Sequence, residues 1–221
     1  MSTNYSFSKS NSVILSTIKA SPNNIVLKAI NSNVTATSEY GINGGFFSAT
    51  DLVSIAVNND VPVKGAPRAY GSGWFNEKYA RGTLVWDKKK AAYSVQCVGS
   101  VDEIVVSDRH AYWAQGGTSM NLQDDKGWHD KAVAEHMPNI DGLTTRTALV
   151  YNSGLNIWLV VTDVPCTAEA FRYAIKTQLG NGTMVDGLFL DGGGSSQLRC
   201  AESSIKGDGR TVRQMIALIN K

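Results

Sequence analysis

Ile157-Trp158-Leu159-Val160-Val161-Thr162-Asp163-Val164-Pro165-Cys166-Thr167 is the stretch that decides the fold. Five apolar residues in a row leave no polar face. They therefore predict a strand buried on both sides, central in its sheet. Pro165 stops the strand and Thr167 is a good helix N-cap. Ala170, Phe171, Ala174, Ile175 and Leu179 follow at helical spacing, and Gly180 ends the run. Just upstream, residues 147–151 and 155–162 flank Asn152-Ser153-Gly154, which predicts a hairpin. Just downstream, Leu188-Phe189-Leu190 reads as a short buried strand that delivers Asp191 to its end.

Working outward, residues 25–30, 52–57 and 212–219 read as strands, the last of them internal. Asn58-Asn59-Asp60 reads as a turn, and 64–74 as a long Gly- and Pro-containing surface loop. Residues 83–86 and 91–98 flank Asp87-Lys88-Lys89-Lys90 as a hairpin whose basic tip faces solvent. Residues 101–106 read as a strand or a short helix. Residues 107–143 show little periodicity, and a structureless loop that long is either functional or hides short elements. The polar stretch 1–12 reads as a loose lead-in. The sum is one α+β domain over 1–221, with a mixed, mostly antiparallel sheet and few helices.

Composition narrows the function. With 221 residues, 43% apolar and 18% charged, the chain is long enough for a sizeable core, and long disorder and coiled coils are excluded. A net charge of +2 does not argue for a nucleic-acid surface. Cys97, Cys166 and Cys200 are widely spaced, and His110, His129 and His136 show no ligand spacing, so neither a metal site nor a disulfide framework is expected. Free thiols and the absence of an apolar leader or a run of about 18 apolar residues point to a cytoplasmic protein without membrane association.

Three segments carry chemistry. In Asp191-Gly192-Gly193-Gly194-Ser195-Ser196, glycines permit close backbone approach and successive amides can form an anion nest beside a carboxylate. A tight turn with Asp191 bonding its own amides is the alternative. Asn43-Gly44-Gly45-Phe46-Phe47 is a second glycine turn, where Asn43 could reach a sugar hydroxyl or phosphate oxygen or simply hold the turn. Adjacent Phe46 and Phe47 read more readily as core than as sugar platform. Asp163 ends the central strand as Asp191 ends its own. If those strands run side by side in one direction, both acids meet at one sheet edge, which suits acid–base or nucleophilic work on an acetal. Arg146 offers a planar fork for phosphate or a surface ion pair. Gly117, beside Gly116, is a pocket-wall or turn glycine.

These residues, in this order, resemble the phosphodiester glycosidase family. The likeness rests on Ile42-Asn43-Gly44-Gly45-Phe46-Phe47, Gly116-Gly117, Arg146-Thr147-Ala148, Asp163 with the helix after it, and Leu190 to Ser196. It runs from about Gly41 to the end, where Arg210 and Val212 resemble the closing motif. The resemblance implies hydrolysis of a glycosyl-1-phosphodiester, such as one of N-acetylglucosamine, without a cofactor. It implies Asp191 as the central acid with Asp163 as partner. Asn43, Gly44, Gly45, Gly117, Arg146, Gly192, Gly193, Gly194, Ser195 and Ser196 would hold sugar and phosphate. A pocket that sequesters a sugar phosphate or nucleotide without turnover is the alternative. Residues 64–80 lie outside the shared motifs and are expected to set substrate choice.

Overall fold

A computed structural model of the chain describes residues 4–9 and 13–221. Its frame is three antiparallel sheets. The largest has six strands in the spatial order Tyr5–Lys9, Ser16–Ala20, Ile157–Val161, Thr147–Asn152, Met184–Phe189 and Thr118–Ser119. A second orders Ala92–Val98, Arg81–Asp87, Tyr112–Gly116, Ala56–Asn58 and Val61–Pro62. The third orders Ser204–Ile205, Leu198–Arg199, Gly41–Asn43, Val212–Leu218 and Ile25–Ser32. The fold is α+β, with two α-helices among the described residues, Trp128–Ala134 and Ala168–Gln178.

The run at 157–161 is apolar on both faces because both faces are covered. Ile157, Leu159 and Val161 point into a core that also takes Ile42, Leu84, Leu188, Leu198 and Ile216, so all three sheets contribute to it. Trp158 and Val160 point the other way, against Phe171, Ala174 and Ile175 of the helix Ala168–Gln178. That helix starts where expected, with Thr167 Oγ1 accepting from the Ala170 amide at 3.1 Å. Each buried aliphatic side chain removed from water here stabilises the fold by about 1.5–3 kcal/mol.

Several expectations are corrected. Residues Tyr5–Lys9 are an edge strand rather than a loose lead-in, since Tyr5 and Phe7 alternate with polar residues and pack on the main core. The rest of the lead-in, 1–3 and 10–12, lies outside the described residues. The strand expected over 52–57 is two pieces, Asp51–Leu52 and Ala56–Asn58. Chain from the 64–74 loop passes alongside that stretch, with Leu52 N donating to Gly71 O and Ala56 N to Gly73 O. That loop is not all surface, since Ser72 and Trp74 are buried. The poorly patterned 107–143 contains two strands and the shorter helix. Residues 101–103 form a single 3₁₀ turn. The last strand, Val212–Leu218, is internal as expected, paired on both sides. Cys97, Cys166 and Cys200 are free thiols. No helix among the described residues is long and apolar enough to cross a membrane.

Candidate active site

The strands leading to Asp163 and Asp191 both pair antiparallel with Thr147–Asn152, one on each side. They therefore run in the same direction and release their acids at the same end of the sheet. Two strand spacings separate the strand tips, about 9–10 Å.

Asp191 lies on the wall of a cavity of about 230 Å³, with Arg146, Asn139, Gly192 and Gly193 and the apolar Phe46, Met137 and Phe189. Burial pushes its carboxyl up from 3.8 to about 6, because a charge there loses water. The Ser195 hydroxyl, the Arg210 guanidinium and the Gly192 amide pull the other way. Ser195 Oγ is nevertheless sealed and makes no hydrogen bond of ordinary geometry. Asp163 opens instead into an adjoining groove of about 570 Å³, which shares only Thr144 and Gly193 with the first cavity. Its carboxylate pairs with Lys9 at 3.3 Å and is partly exposed. The two acids thus share a sheet end but not a chamber.

The remaining residues divide by what surrounds them. Asn43 is buried and its amide is fully used inside the protein. Nδ2 donates to Asp191 O at 2.8 Å and to Gly44 O at 3.2 Å. Oδ1 accepts from the Gln197 amide at 3.0 Å and from Thr147 Oγ1 at 3.1 Å. Asn43 is therefore a clamp on the Asp191 loop, the second of the two roles expected for it. Gly44, Gly45 and Gly117 are likewise buried and line neither the cavity beside Asp191 nor the groove beside Asp163. A Cβ on Gly44 would fall on the Gln214 amide, one on Gly45 would lie 2.8 Å from Gly116 O, and one on Gly117 would lie 2.4 Å from Phe189 O. These glycines let chains pack closely. The glycine turn still reaches the site, since the Asp191 amide donates to Gly44 O at 3.3 Å.

The anion nest expected after Asp191 is only partly free. The amides of Gly193, Ser195, Ser196 and Gln197 all donate to protein oxygens. Gly193 takes φ of 60°, and its amide donates to Thr145 O at 2.8 Å while its carbonyl accepts from Thr145 Oγ1 at 2.6 Å. Ser195 is sealed, so it supports Asp191 rather than touching a ligand. Ser196 Oγ is tied to Thr147 Oγ1 at 3.1 Å. Gly194 has no side chain because a Cβ would lie 2.1 Å from Asp208 Oδ2.

Arg146 is buried, not a surface ion pair. Its Nε donates to Cys166 O at 3.2 Å, and its Nη2 to Gly142 O at 2.7 Å and Asn139 O at 2.9 Å. Burial lowers its pKa. Nη1 makes no hydrogen bond to the described residues, so only that part of the fork is free, on the cavity wall that Arg146 shares with Asp191. The sequence reading missed the Asp208–Arg210 pair, closed at 2.6 Å, which holds a cation near Asp191. Gly207-Asp208-Gly209-Arg210, a polar glycine turn next to the closing motif, was the available signal. Among the described residues no cluster of three or more His, Cys, Asp or Glu is placed to hold a metal ion.

A family model described as phosphodiester glycosidase matches residues 36–219. Among solved structures, the chain is similar to the catalytic domain of zebrafish N-acetylglucosamine-1-phosphodiester alpha-N-acetylglucosaminidase, auto-inhibited by its pro-peptide. That likeness has 15% identity and a TM-score of 0.59, over 98% of this chain and 82% of the other. A hypothetical protein from Synechocystis is similar at 12% identity and a TM-score of 0.53, over 98% of this chain and 61% of the other. At such identities the two structures speak for the fold alone. Among curated proteins none matches the chain.

Proposed function

The chain belongs to the phosphodiester glycosidase family, and from that premise we propose that it hydrolyses a glycosyl-1-phosphodiester in the cavity beside Asp191. The observation that carries the reading is a strand-tip carboxyl, raised to about 6, on a cavity wall it shares with a buried guanidinium. In the proposed reaction the bond from the anomeric carbon to the phosphate oxygen breaks. The oxygen of water joins the anomeric carbon and gives up one proton to solvent, and the phosphate leaves as a monoester with its other ester intact. A phosphate is a good leaving group, so strong protonation of it is unnecessary. The larger demand is to stabilise an oxocarbenium-like carbon on one side and the departing anion on the other. Ionised Asp191 meets the first demand and Arg146 Nη1 the second. Asn43, which grips the Asp191 carbonyl, keeps the acid in place without touching substrate. Asp163, across the shared Thr144 and Gly193, faces the part of the ligand that extends into the open groove.

The test is release of free sugar from an alkyl ester of N-acetylglucosamine 1-phosphate. Asp191→Asn should lower kcat by roughly 10²–10⁴-fold with the fold intact. Unchanged turnover in that variant removes Asp191 from the chemistry. Ligand-induced stabilisation of the wild type with no product over long incubation would leave a sequestering pocket instead.

A further inference from the structure

Beyond the cavity, a cation and two rings continue from its wall. Phe46 lines the cavity. The Arg81 guanidinium carbon sits 4.9 Å from the Phe46 ring centre and 5.6 Å from that of Tyr79. Tyr79 in turn stacks on His136, with centroids 3.6 Å apart and planes 22° from parallel. His136 immediately precedes Met137 and Pro138, both on the cavity wall. Tyr79 is 40% exposed and His136 is exposed as well, so this stack lies at the surface rather than in the core.

Arg81 is fixed but unneutralised. Its Nε donates to Glu135 O at 3.0 Å and its Nη2 to His136 O at 3.4 Å. No carboxylate lies within ion-pair distance of it among the described residues. Glu135 acts on it at longer range, its carboxylate being held by the Gly82 and Ser119 amides, Ser119 Oγ and Lys131. A partly desolvated, immobilised guanidinium without a counter-ion is an anion site in waiting. His136 follows the C-cap Glu135 of the helix Trp128–Ala134, and its left-handed φ of 55° ends that helix and turns its ring toward Tyr79. Tyr79 closes the 64–80 segment, the part of the chain outside the family motifs.

We propose that Tyr79, Arg81 and His136 form a subsite for the nucleoside phosphate end of a nucleotide sugar, the base lying on the ring stack and the phosphate beside Arg81. This rests on the hydrolytic reading for why the far side of the ester lies there, and it names the substrate class. A base is favoured over a second sugar because it offers a flat π-face to a nearly parallel ring pair that carries a cation over Tyr79, leaving the outer His136 face for the base.

The test is calorimetric titration of uridine 5′-monophosphate and of ribose 5-phosphate, which differ only in the base. The wild type should bind the first about 5- to 100-fold more tightly, the contribution of one stacked base. Tyr79→Ala should reduce that margin to near unity, while Tyr79→Phe, which keeps the ring, should retain it. His136→Ala should act like Tyr79→Ala and replaces it if that variant fails to fold. Equal affinities in the wild type, binding of neither ligand, or a margin that survives both alanine variants overturns the subsite. None of these measurements needs turnover. A base-dependent margin without hydrolysis therefore sinks only the catalytic reading, and hydrolysis of alkyl phosphodiesters without a margin sinks only the subsite.

Discussion

Replacing Arg146 by alanine tests the division of labour within one side chain. The guanidinium closes three hydrogen bonds at 3.2 Å or less to the carbonyls of Cys166, Asn139 and Gly142, with Ile140 O further off at 3.4 Å. The side chain is 4% exposed, so water does not replace those donors freely. A hydrogen bond to a charged group contributes about 1.5–3 kcal/mol, and a buried carbonyl left unmade costs about 1–3 kcal/mol. Allowing for local relaxation and water entry, the variant should lose about 3–6 kcal/mol, on the order of half of a typical domain's stability. For a domain this size that lowers Tm by roughly 8–20 °C. Urea denaturation followed by tryptophan fluorescence measures it, with Arg146→Lys recovering only part, because an ammonium cannot span the same carbonyls. A loss below about 1 kcal/mol, accompanied by a large drop in phosphate-dependent binding, would refute the reasoning and make the whole guanidinium a ligand group.

Further outcomes follow from the site. Asp191 is raised to about 6, so between its unfolded value near 3.8 and about 6 the folded state binds the extra proton. Stability from this group is therefore present below pH 4 and declines as pH rises through 6. Asp191→Asn should gain stability relative to wild type at pH 8 compared with pH 4, by up to about 3 kcal/mol, and wild-type kcat/KM should rise with pH around a midpoint near 6. The Ser195 hydroxyl lowers that value, so Ser195→Ala should move the midpoint upward with little change in Tm, and an unmoved midpoint removes Ser195 from the support of Asp191. Gly117→Ala places a Cβ 2.4 Å from Phe189 O and should destabilise by about 1–3 kcal/mol without altering ligand affinity in the fraction that folds, read by denaturation and titration together.

Side-chain chemistry was readable along the chain; what each group meets was not. The central strand, its helix and the acid at the end of 184–189 could be found because burial on both faces, an N-cap and a glycine stop leave local traces. Arg146 advertises a phosphate fork, but the carbonyls that engage it come from 139–142 and from Cys166, which only the folded chain brings round it. Asn43 and Gly44 mark a turn, yet their partners lie at Asp191 and Gln214, more than 140 residues on. Tyr112–Gly116 escaped notice because all five residues are buried, so neither alternation nor helical spacing survives. Tyr5–Lys9 escaped because an edge strand needs only two packed rings among serines.

The threading of Val212–Leu218 between Gly41–Asn43 and Ile25–Ser32 means that the candidate site is assembled only after the chain has been made past this strand. Until that ribbon has emerged from the ribosome, the Asn43 turn lacks its neighbour and Gln214 is not there to brace Gly45. Pairings this remote slow folding, because loop closure precedes its reward. A nascent chain that has not yet reached this ribbon thus lacks the assembled site, and a cut that removes only this ribbon should disable the adjoining Asn43 turn and the Asp191 loop it clamps as surely as a change at Asp191 itself.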